Sequence, residues 1–171
     1  MAAELIFPEQ TLILMCSAPG CGKSTFTKRH FLPTQVISSD ECRAMVCDDM
    51  EDMSVHEETF SLVRHIARLR MGLGKLTVID TTSLTRNVRS QYQRLAEEYG
   101  FSTGIILLDI PLETCLEQNR RRNRQVDPDV IRAFHQSLQK TKKTVREEGF
   151  DHLYFLDEHT LPKARVTIRG T

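Results

Sequence analysis

The sequence of 171 residues has no tryptophan, no net charge and no long apolar run. Its 23 lysines and arginines are balanced by 23 aspartates and glutamates, which excludes a polybasic tail protein, so any nucleic-acid partner must be bound by a local patch. No stretch approaches the roughly 18 apolar residues of a membrane span, and we expect neither export nor membrane insertion. The eight phenylalanines and three tyrosines form no obvious row on which bases stack.

Cysteine is present but is not arranged in pairs. The five cysteines, an odd number, include no C-x-x-C motif, and this pattern is typical of neither a disulfide framework nor a zinc site. We therefore predict small buried or loop residues in a reducing compartment, and a cytoplasmic protein. Cys21 is an exception, because it lies between two glycines of an anion-binding loop, where its thiol could be acidified and modified.

The length predicts one domain over residues 1–171, since about 150 residues per domain is typical, and this domain could be one module of a longer protein. Apolar stretches suited to buried parallel strands recur at residues 12–16, 36–38, 76–80, 105–109 and 153–156, with 166–168 as a candidate last strand. Helical patterns separate them, among them a capping box at 54–57 and an Asp127 cap before Pro128. This alternation predicts a three-layer α/β fold with a mostly parallel sheet and ligands at the carboxyl ends of the strands.

The strongest chemical signal is the run S-A-P-G-C-G-K-S that begins at Ser17, which we call the phosphate loop. It fits the motif G-x-x-x-x-G-K-[ST] except that Ser17 replaces the first glycine. A strand leads into the loop and a helix leaves it, so backbone N–H groups converge on an anion, and Gly20 and Gly22 permit the close approach. Lys23 is predicted to contact the β and γ phosphates of a nucleotide, and the Ser24 hydroxyl to hold Mg²⁺.

A phosphotransferase also needs a group that orients and deprotonates the acceptor, and Asp40 lies where the second predicted strand ends. Arg43 follows three residues later, on the same face of a helix, where a guanidinium can bind a phosphate next to the acceptor hydroxyl. Taken alone, a helix cap with a surface ion pair is the favoured interpretation of both residues, because aspartate is common at helix starts.

Two apolar runs end in aspartate, and either residue could be the carboxylate on the metal side of the site. We favour Asp80, because the hydroxyls of Thr81, Thr82 and Ser83 follow it. Asp109 precedes a proline and a predicted helix start, where a capping role explains it.

Positive charge is concentrated between residues 118 and 146, with nine basic residues against two acids. Residues 119–125 lie between two predicted helices, and we call this segment the lid. Arg122 and Arg124 are predicted to neutralise the transferring phosphoryl group. The later cations, such as Lys142, fit a solvated helix face as well as a binding face. Seven carboxylates lie between residues 41 and 58, and residues 48–52, the acidic loop, are expected to be exposed and to repel polyanions.

With these motifs in place, the chain resembles the 5′-OH polynucleotide kinase domain of bacterial polynucleotide kinase-phosphatase-ligase end-healing enzymes. The resemblance covers nearly the whole chain and includes G-K-S-T-F from Gly22, V-I-S-S-D to Asp40, G-K-L-T-V with Asp80 and Thr82, R-Q-V from Arg124, and E-G-F from Glu148. It implies an adenylate-kinase-like P-loop phosphotransferase fold with an arginine-bearing lid. It also implies transfer of the ATP γ-phosphate to 5′-OH ends of RNA or DNA with Mg²⁺, in end repair.

The resemblance assigns roles to residues at matching positions. Asp40 is the general base for the 5′-hydroxyl, Arg43 grips the acceptor phosphate, and the lid arginines face the donor phosphates. The residues expected to bind ATP are Gly20, Cys21, Gly22, Lys23, Ser24, Thr25, Arg122 and Arg124, and those expected to hold the metal are Ser24 and Asp80. The implied partners are a 5′-OH RNA or DNA strand and covalently linked phosphatase and ligase modules, and a homodimer is allowed.

The chain departs from the family pattern at three positions. Ser17 replaces a loop glycine, Ser83 stands where an asparagine usually follows the threonine, and Gln118 stands where a lid arginine is expected. Arg120 or Arg121 could supply the missing cation, since both lie within a turn. Two alternatives remain: a kinase for a small metabolite such as a sugar or nucleoside, and a nucleotide-binding regulatory module that transfers nothing.

Overall fold

The computed structural model describes residues 3–170, and its centre is a five-stranded parallel sheet in the order β3-β4-β2-β5-β6. The strands in chain order are β1 (Glu4–Pro8), β2 (Thr11–Cys16), β3 (Val36–Ser38), β4 (Thr77–Asp80), β5 (Ser102–Asp109), β6 (His152–Asp157) and β7 (Arg165–Arg169). The helices are α1 (Lys23–His30), α2 (Ser39–Cys47), α3 (His56–Gly72), α4 (Arg86–Glu98), α5 (Leu112–Arg121) and α6 (Pro128–Thr144). The predicted alternation of strands and helices is confirmed.

The sheet is buried on both faces because its strands carry apolar residues at successive positions. In β2, Ile13 and Met15 belong to one apolar cluster, while Leu12 and Leu14 belong to the cluster on the other face. Each such side chain stabilises the fold by about 1.5–3 kcal/mol through burial. Two covered faces make the three-layer α/β fold that the sequence predicts, and they leave the strand ends free for chemistry.

A second, two-stranded parallel sheet joins β1 to β7 outside the main sheet. The candidate strand at 166–168 is thus confirmed, whereas the sequence did not reveal β1. The Tyr154 hydroxyl links this sheet to β6, since it accepts a hydrogen bond from the Ile6 N–H and donates one to the Ile6 carbonyl, both at 3.0 Å. Phe7 packs so closely on β5 that a Cβ added at Gly104 would lie 2.7 Å from its ring.

The helix boundaries confirm one predicted cap and correct another. The Asp127 side chain accepts a hydrogen bond from the Asp129 N–H, and α6 begins at Pro128 as predicted. The capping box at 54–57 is wrong, because Ser54 lies in a short 3-10 helix that Asp52 caps, and α3 begins only at His56. The short 3-10 helix, whose Ser54 N–H donates to the Asp52 side chain, therefore takes the place of the predicted capping box.

The expectation of separate, reduced cysteines is wrong for two of the five. Cys21 and Cys115 form a disulfide with a Cα–Cα distance of 4.9 Å, although 94 positions separate them in the sequence. Cys16, Cys42 and Cys47 are free. The pair has no local spacing signature, since only the fold brings α5 against the phosphate loop.

Between residues 3 and 170, no helix is both long and apolar enough to cross a membrane.

Candidate active site

A cleft of about 530 Å³ opens at the carboxyl ends of the strands, as the sequence predicts for a ligand site in this fold. One wall combines the phosphate loop with the start of α1, and the opposite wall comes from α5 and the lid. The sequence-predicted residues that line it are Gly20, Gly22, Lys23, Ser24, Thr25, Asp40, Arg122 and Arg124. Arg43 and Asp80 lie directly behind them, in contact with Asp40 and Lys23 respectively. Cys21 is the predicted residue whose side chain faces away from the cleft, into the disulfide and the core.

The phosphate loop depends on two glycines in the left-handed region. Gly20 has φ 79° and Gly22 has φ 90°, values that L side chains rarely adopt. Gly22 precedes α1, whose first turn contains no acidic residue and whose cap makes no side-chain hydrogen bond. The N–H groups at this helix start therefore remain available to an anion. Ser17, which replaces the first glycine, is fully buried, and its N–H donates to the Thr82 carbonyl at 3.3 Å.

Asp80 ends β4 directly beside the phosphate loop. Its Oδ1 lies 3.3 Å from Lys23 Nζ, and its Oδ2 accepts a hydrogen bond of 3.3 Å from Ser24 Oγ. The carboxylate is 6% exposed, and Oδ1 accepts no hydrogen bond. A buried carboxylate that faces a lysine ammonium with one oxygen and a hydroxyl with the other fits Mg²⁺, which takes one or two protein ligands together with substrate phosphates. No group of three acids, cysteines or histidines at metal spacing occurs within residues 3–170, and this mode of binding needs none.

The structure separates Asp40 from the capping role that the sequence left open. Ser38 is the cap of α2, since its hydroxyl accepts from the Glu41 N–H, so the Asp40 carboxylate is free for other contacts. Its Oδ1 accepts a hydrogen bond of 3.0 Å from Arg43 Nη1. Arg43 is 4% exposed whereas the Asp40 side chain is half-exposed, so a buried guanidinium holds a carboxylate that faces the cleft, and the buried Nε of Arg43 has no partner. The same Nη1 also donates to the Met50 carbonyl, which fixes the guanidinium against the acidic loop.

The ends of the lid are fastened by an asparagine that the sequence did not single out for this role. Asn119 Nδ2 donates to the Val126 carbonyl at 2.7 Å, and its Oδ1 accepts from the Val126 N–H at 2.8 Å. Asn119 is only 2% exposed, so this pair of hydrogen bonds lies at the buried base of the lid. The side-chain amide replaces backbone pairing and closes the lid into a loop between α5 and α6.

The two lid arginines differ in position. Arg122 lines the cleft beside the phosphate loop, together with Gln118. Arg124 lies towards the acceptor side, where its Nη1 donates to Asp40 Oδ2 at 3.2 Å and its Nε to Glu51 at 2.7 Å. Burial lowers the pKa of Arg124, but the hydrogen bond to Glu51 and the charge of Asp40 outweigh burial and raise that pKa overall. The acidic loop, expected only to repel anions, thus also binds the lid.

The neighbouring arginines do not supply the cation that Gln118 lacks. Arg120 and Arg121 both pair with Glu117 and are 67% and 79% exposed. Neither lines the cleft, so the suggestion that one of them substitutes for the missing lid arginine is wrong for this conformation.

Asp109, the rival candidate for the metal side, is paired away from the site. It accepts from Lys142 Nζ and from Gln139 Nε2, both on α6. Pro111 occupies the cap position of α5, so the predicted capping role is wrong as well. Further along the basic stretch, Arg146 stacks on the Phe155 ring at 4.5 Å. Lys142 and Arg146 therefore each contact a residue of the central sheet, outside the cleft lining.

A buried ion pair that the sequence gave no sign of supports the segment after β4. Arg89 is 2% exposed and donates from Nε and Nη2 to Glu148 at 2.7 and 2.8 Å. Its Nη1 donates to the carbonyl of Ser83, a non-glycine residue with φ 51°. The carbonyl of Thr82, one residue before Ser83, accepts a hydrogen bond from the Ser17 N–H. Arg89 therefore indirectly supports the start of the phosphate loop.

The far end of the cleft has an apolar and cationic wall. The rings of Phe26 and His30 on α1 are in tilted contact, with 4.5 Å between centroids and 42° between planes, and Leu161 and Pro162 line the same end. Burial, and after it the charge of Arg29, lowers the pKa of His30, so this imidazole favours its neutral form. Such a wall suits a flat uncharged ring system at one end of a ligand whose other end is anionic.

Comparison with known proteins agrees with the fold. A protein-family model described as an AAA domain, AAA_33, matches residues 12–141. The L-seryl-tRNA(Sec) kinase of Homo sapiens is 32% identical over 63 residues, which are 37% of this chain and 18% of that protein. A chain of the Pnkp1/Rnl/Hen1 RNA repair complex is similar at TM-score 0.69 and 20% identity, over 81% of this chain and 47% of that chain.

A gluconokinase from Sinorhizobium meliloti has a TM-score of 0.58 at 15% identity, over 88% of this chain and 84% of that chain. At these identities the structural likeness shows the fold, which is the α/β phosphate-loop kinase fold with a parallel central sheet. The matched regions span 18% of the seryl-tRNA kinase and 47% of the Pnkp1-complex chain, less than half of either relative.

Proposed function

Since the chain belongs to the AAA_33 family of AAA domains, which here has a phosphate-loop kinase fold, we propose that it is an ATP-dependent polynucleotide 5′-hydroxyl kinase. The reaction moves the γ phosphate of ATP to the 5′-OH end of an RNA or DNA strand. One observation carries the proposal: Asp40, on the acceptor side, lies in the same cleft as Lys23 and is paired with the buried Arg43.

The donor half of the proposal follows from the phosphate loop. Its free N–H groups and Lys23 bind the β and γ phosphates, and Arg122 approaches them from the lid side of the cleft. The adenine ring occupies the apolar end between Phe26 and Leu161. Ser24 and Asp80 would hold Mg²⁺, which when bound neutralises charge on the β and γ phosphate oxygens.

The acceptor half follows from Asp40 and Arg43. The carboxylate accepts the proton of the attacking 5′-hydroxyl and aligns that oxygen with the γ phosphate. Arg43 holds the Asp40 carboxylate through Nη1, and its Nε is buried without a partner. To grip the phosphate that follows the 5′ nucleoside, the guanidinium must become exposed when the strand binds. Transfer needs positioning and charge neutralisation only, so no covalent enzyme intermediate forms.

The strand itself is proposed as the acceptor on two grounds. The sequence resembles end-healing kinase domains along nearly its whole length, and the fold matches a chain of an RNA repair complex. We extend the proposal to the wider protein: residues 1–171 are one kinase domain, the amino-terminal module of a chain with phosphatase and ligase modules, and a homodimer is compatible with it.

A small-metabolite kinase is the second candidate, and the acidic loop favours it. Asp48, Asp49 and Glu51 are exposed in the acidic loop, which contacts both arginines that pair with Asp40, and they repel a polyanion there. An uncharged sugar or nucleoside would avoid this repulsion, and the gluconokinase shows that the fold is compatible with such an enzyme. The third candidate, a regulatory module, would bind ATP in the same cleft without transferring phosphate, and Asp40 would then have no catalytic role.

The decisive experiment measures transfer of labelled γ phosphate from ATP with Mg²⁺ to a 5′-OH oligonucleotide. The same strand carrying a 5′ phosphate, and a panel of sugars and nucleosides, serve as alternative acceptors. The variants are Asp40→Asn and, as a control with the same loss of charge, Asp48→Asn.

We expect label on the 5′-OH strand alone, lost in Asp40→Asn and kept in Asp48→Asn, with transfer that weakens as salt rises. Label on a small molecule alone would favour the second candidate. ATP binding without any labelled product would favour the regulatory module.

A further inference from the structure

The Cys21–Cys115 disulfide joins the phosphate loop to the helix that leads into the lid. We propose that this pair is a reversible modification site, and that its oxidation state sets the affinity of the donor site for ATP. The proposal rests on the function proposed above, because it takes the cleft to be a nucleotide site.

The position of Cys21 in the loop gives the bond its effect. The residue stands between Gly20, with φ 79°, and Gly22, with φ 90°. Glycines in this region have more conformational freedom than other residues, so a loop built on them loses more entropy when it orders around phosphates. A covalent anchor at the residue between them removes part of that freedom before the ligand arrives.

The disulfide lies on the core side of the phosphate loop and does not occupy the cleft. Cys21 and Cys115 are 1% and 0% exposed and belong to the apolar cluster that includes Ala18 and Phe26. The loop residues on both sides of Cys21 line the cleft, whereas the Cys21 side chain points into the core. Oxidation therefore leaves room for phosphates and stabilises the loop that binds them.

The bond also couples the loop to the opposite wall. The Cys115 carbonyl lies 3.5 Å from the position of a Cβ at Gly20. One and two turns later, Gln118 and Arg122 line the cleft. When the bond is closed, the phosphate loop and the base of the lid move as one body, and when it is open only non-covalent packing holds them together.

The remaining cysteines, Cys16, Cys42 and Cys47, are free, so none of them is paired with a second cysteine. Burial raises the pKa of Cys16 to about 12 and also raises the pKa of Cys42. Cys47 lies at the end of α2, and its Sγ donates to the Arg43 carbonyl. Among the cysteines, all of which lie within residues 3–170, Cys21 and Cys115 are the bonded pair.

The reaction is thiol–disulfide exchange with a small disulfide such as oxidised glutathione. One cysteine thiolate attacks the glutathione disulfide and releases one glutathione thiolate. The second cysteine then attacks the protein sulfur of the mixed disulfide and releases the other glutathione. The two protons from the cysteines end on the two glutathione thiols, and a dithiol reductant reverses the sequence.

Two measurable effects follow because coupling between sites is reciprocal. If the closed bond raises ATP affinity, bound ATP must stabilise the closed bond by the same factor. We expect the oxidised protein to bind ATP about five- to tenfold more tightly than the reduced protein, within the usual range of coupling between sites. We also expect MgATP to shift the reduction equilibrium towards the closed bond, so that a more reducing glutathione buffer is needed to open it.

The experiment titrates the protein with a fluorescent ATP analogue after treatment with oxidised glutathione or with dithiothreitol. Free thiols are counted in denaturant, and three of the five cysteines should react after oxidation and all five after reduction. Cys115→Ser removes the bond without touching the cleft, and Cys47→Ser removes a cysteine outside the pair. The reduced wild-type protein also lacks the disulfide and carries no substitution. The comparison of oxidised with reduced wild type therefore does not depend on whether Cys115→Ser folds.

The proposal holds if wild type and Cys47→Ser show the affinity difference while Cys115→Ser has one affinity under both treatments. Equal affinities in wild type, with thiol counts that switch as expected, would overturn the regulatory role. Five reactive thiols after oxidation would overturn the site itself. Thiol counts that switch while neither form binds the analogue would overturn the proposed donor site, and the control of ATP affinity with it.

Discussion

Arg124 donates a hydrogen bond of 3.2 Å from its Nη1 to Oδ2 of Asp40, so a lid cation and the candidate base are paired directly. Both groups have other tasks in the proposed reaction, since Asp40 must accept a proton from the acceptor and Arg124 must neutralise donor phosphates. The pair must therefore separate before transfer. Glu51, on the other edge of the same guanidinium, holds the arginine in the resting position at 2.7 Å.

Removal of the Glu51 charge should favour ATP binding. In Glu51→Gln, the lid arginine loses one of its two anionic partners and becomes easier to transfer to the nucleotide. An exposed ion pair contributes about 0.2–1 kcal/mol, so the ATP Kd should fall by up to about fivefold in a fluorescent-nucleotide titration.

Asp48→Asn is the matched control, because it removes the same charge from the acidic loop at a position whose φ of 65° asparagine tolerates. A Kd that falls equally in both variants would point to the general field of the acidic loop, and not to the contact between Glu51 and Arg124.

Asp80→Asn should abolish most of the phosphoryl transfer while leaving the fold intact. The substitution keeps the shape beside Lys23 and Ser24 but removes the charge that would hold Mg²⁺. We expect kcat to fall by about 10²- to 10³-fold, the usual loss for one electrostatic group of an active site. Asp109→Asn, at the end of the neighbouring strand β5, is the control and should keep nearly full activity. Similar losses in the two variants would contradict the assignment of the metal side to Asp80.

Gly104→Ala should destabilise the fold through a steric clash. The added Cβ would lie 2.7 Å from the Phe7 ring. This ring also packs edge-on against the Tyr154 ring, with 5.3 Å between the ring centroids. Overpacking of this kind costs about 1–3 kcal/mol in the free energy of unfolding, measured by urea denaturation. Gly72→Ala, where the new Cβ meets only ordinary van der Waals contact at 3.7 Å, should leave stability unchanged or raise it.

Arg89→Met should lower the free energy of unfolding by about 3–5 kcal/mol, because it leaves the buried carboxylate of Glu148 without its partner. The double variant with Glu148→Met should recover part of this loss, since no buried charge then remains unpaired. Arg94→Met, on the exposed side of the same helix, is the control and should change stability little. If the double variant were no more stable than Arg89→Met, the stabilisation would come from the hydrogen bond to Ser83 and not from the ion pair.

The sequence predicted those parts of the site whose residues are close together in the chain. The phosphate loop, the spacing of Asp40 and Arg43, and the aspartate at the end of β4 all carry their signal within a few positions. Strand–helix alternation then sufficed for the α/β fold, because buried parallel strands are apolar along their whole length.

The contacts that the sequence did not reveal join distant segments. Cys21 and Cys115 are 94 positions apart, Arg89 and Glu148 are 59 apart, and Glu51 and Arg124 are 73 apart. No periodicity links such pairs, and an arginine on a polar helix such as α4 has the pattern of a surface residue. The fold must be known before these partners can be assigned.

The parallel pairing of β1 with β7 also has a mechanical consequence. Both strands run in the same direction, with Glu4 beside Arg165 and Pro8 beside Arg169. Tension applied between residues 3 and 170 pulls the two strands in opposite directions along their axes, so all their hydrogen bonds resist together and do not open one at a time. In a single-molecule pulling experiment, the protein should therefore yield in one high-force event, and gradual low-force peeling of β7 would contradict this geometry.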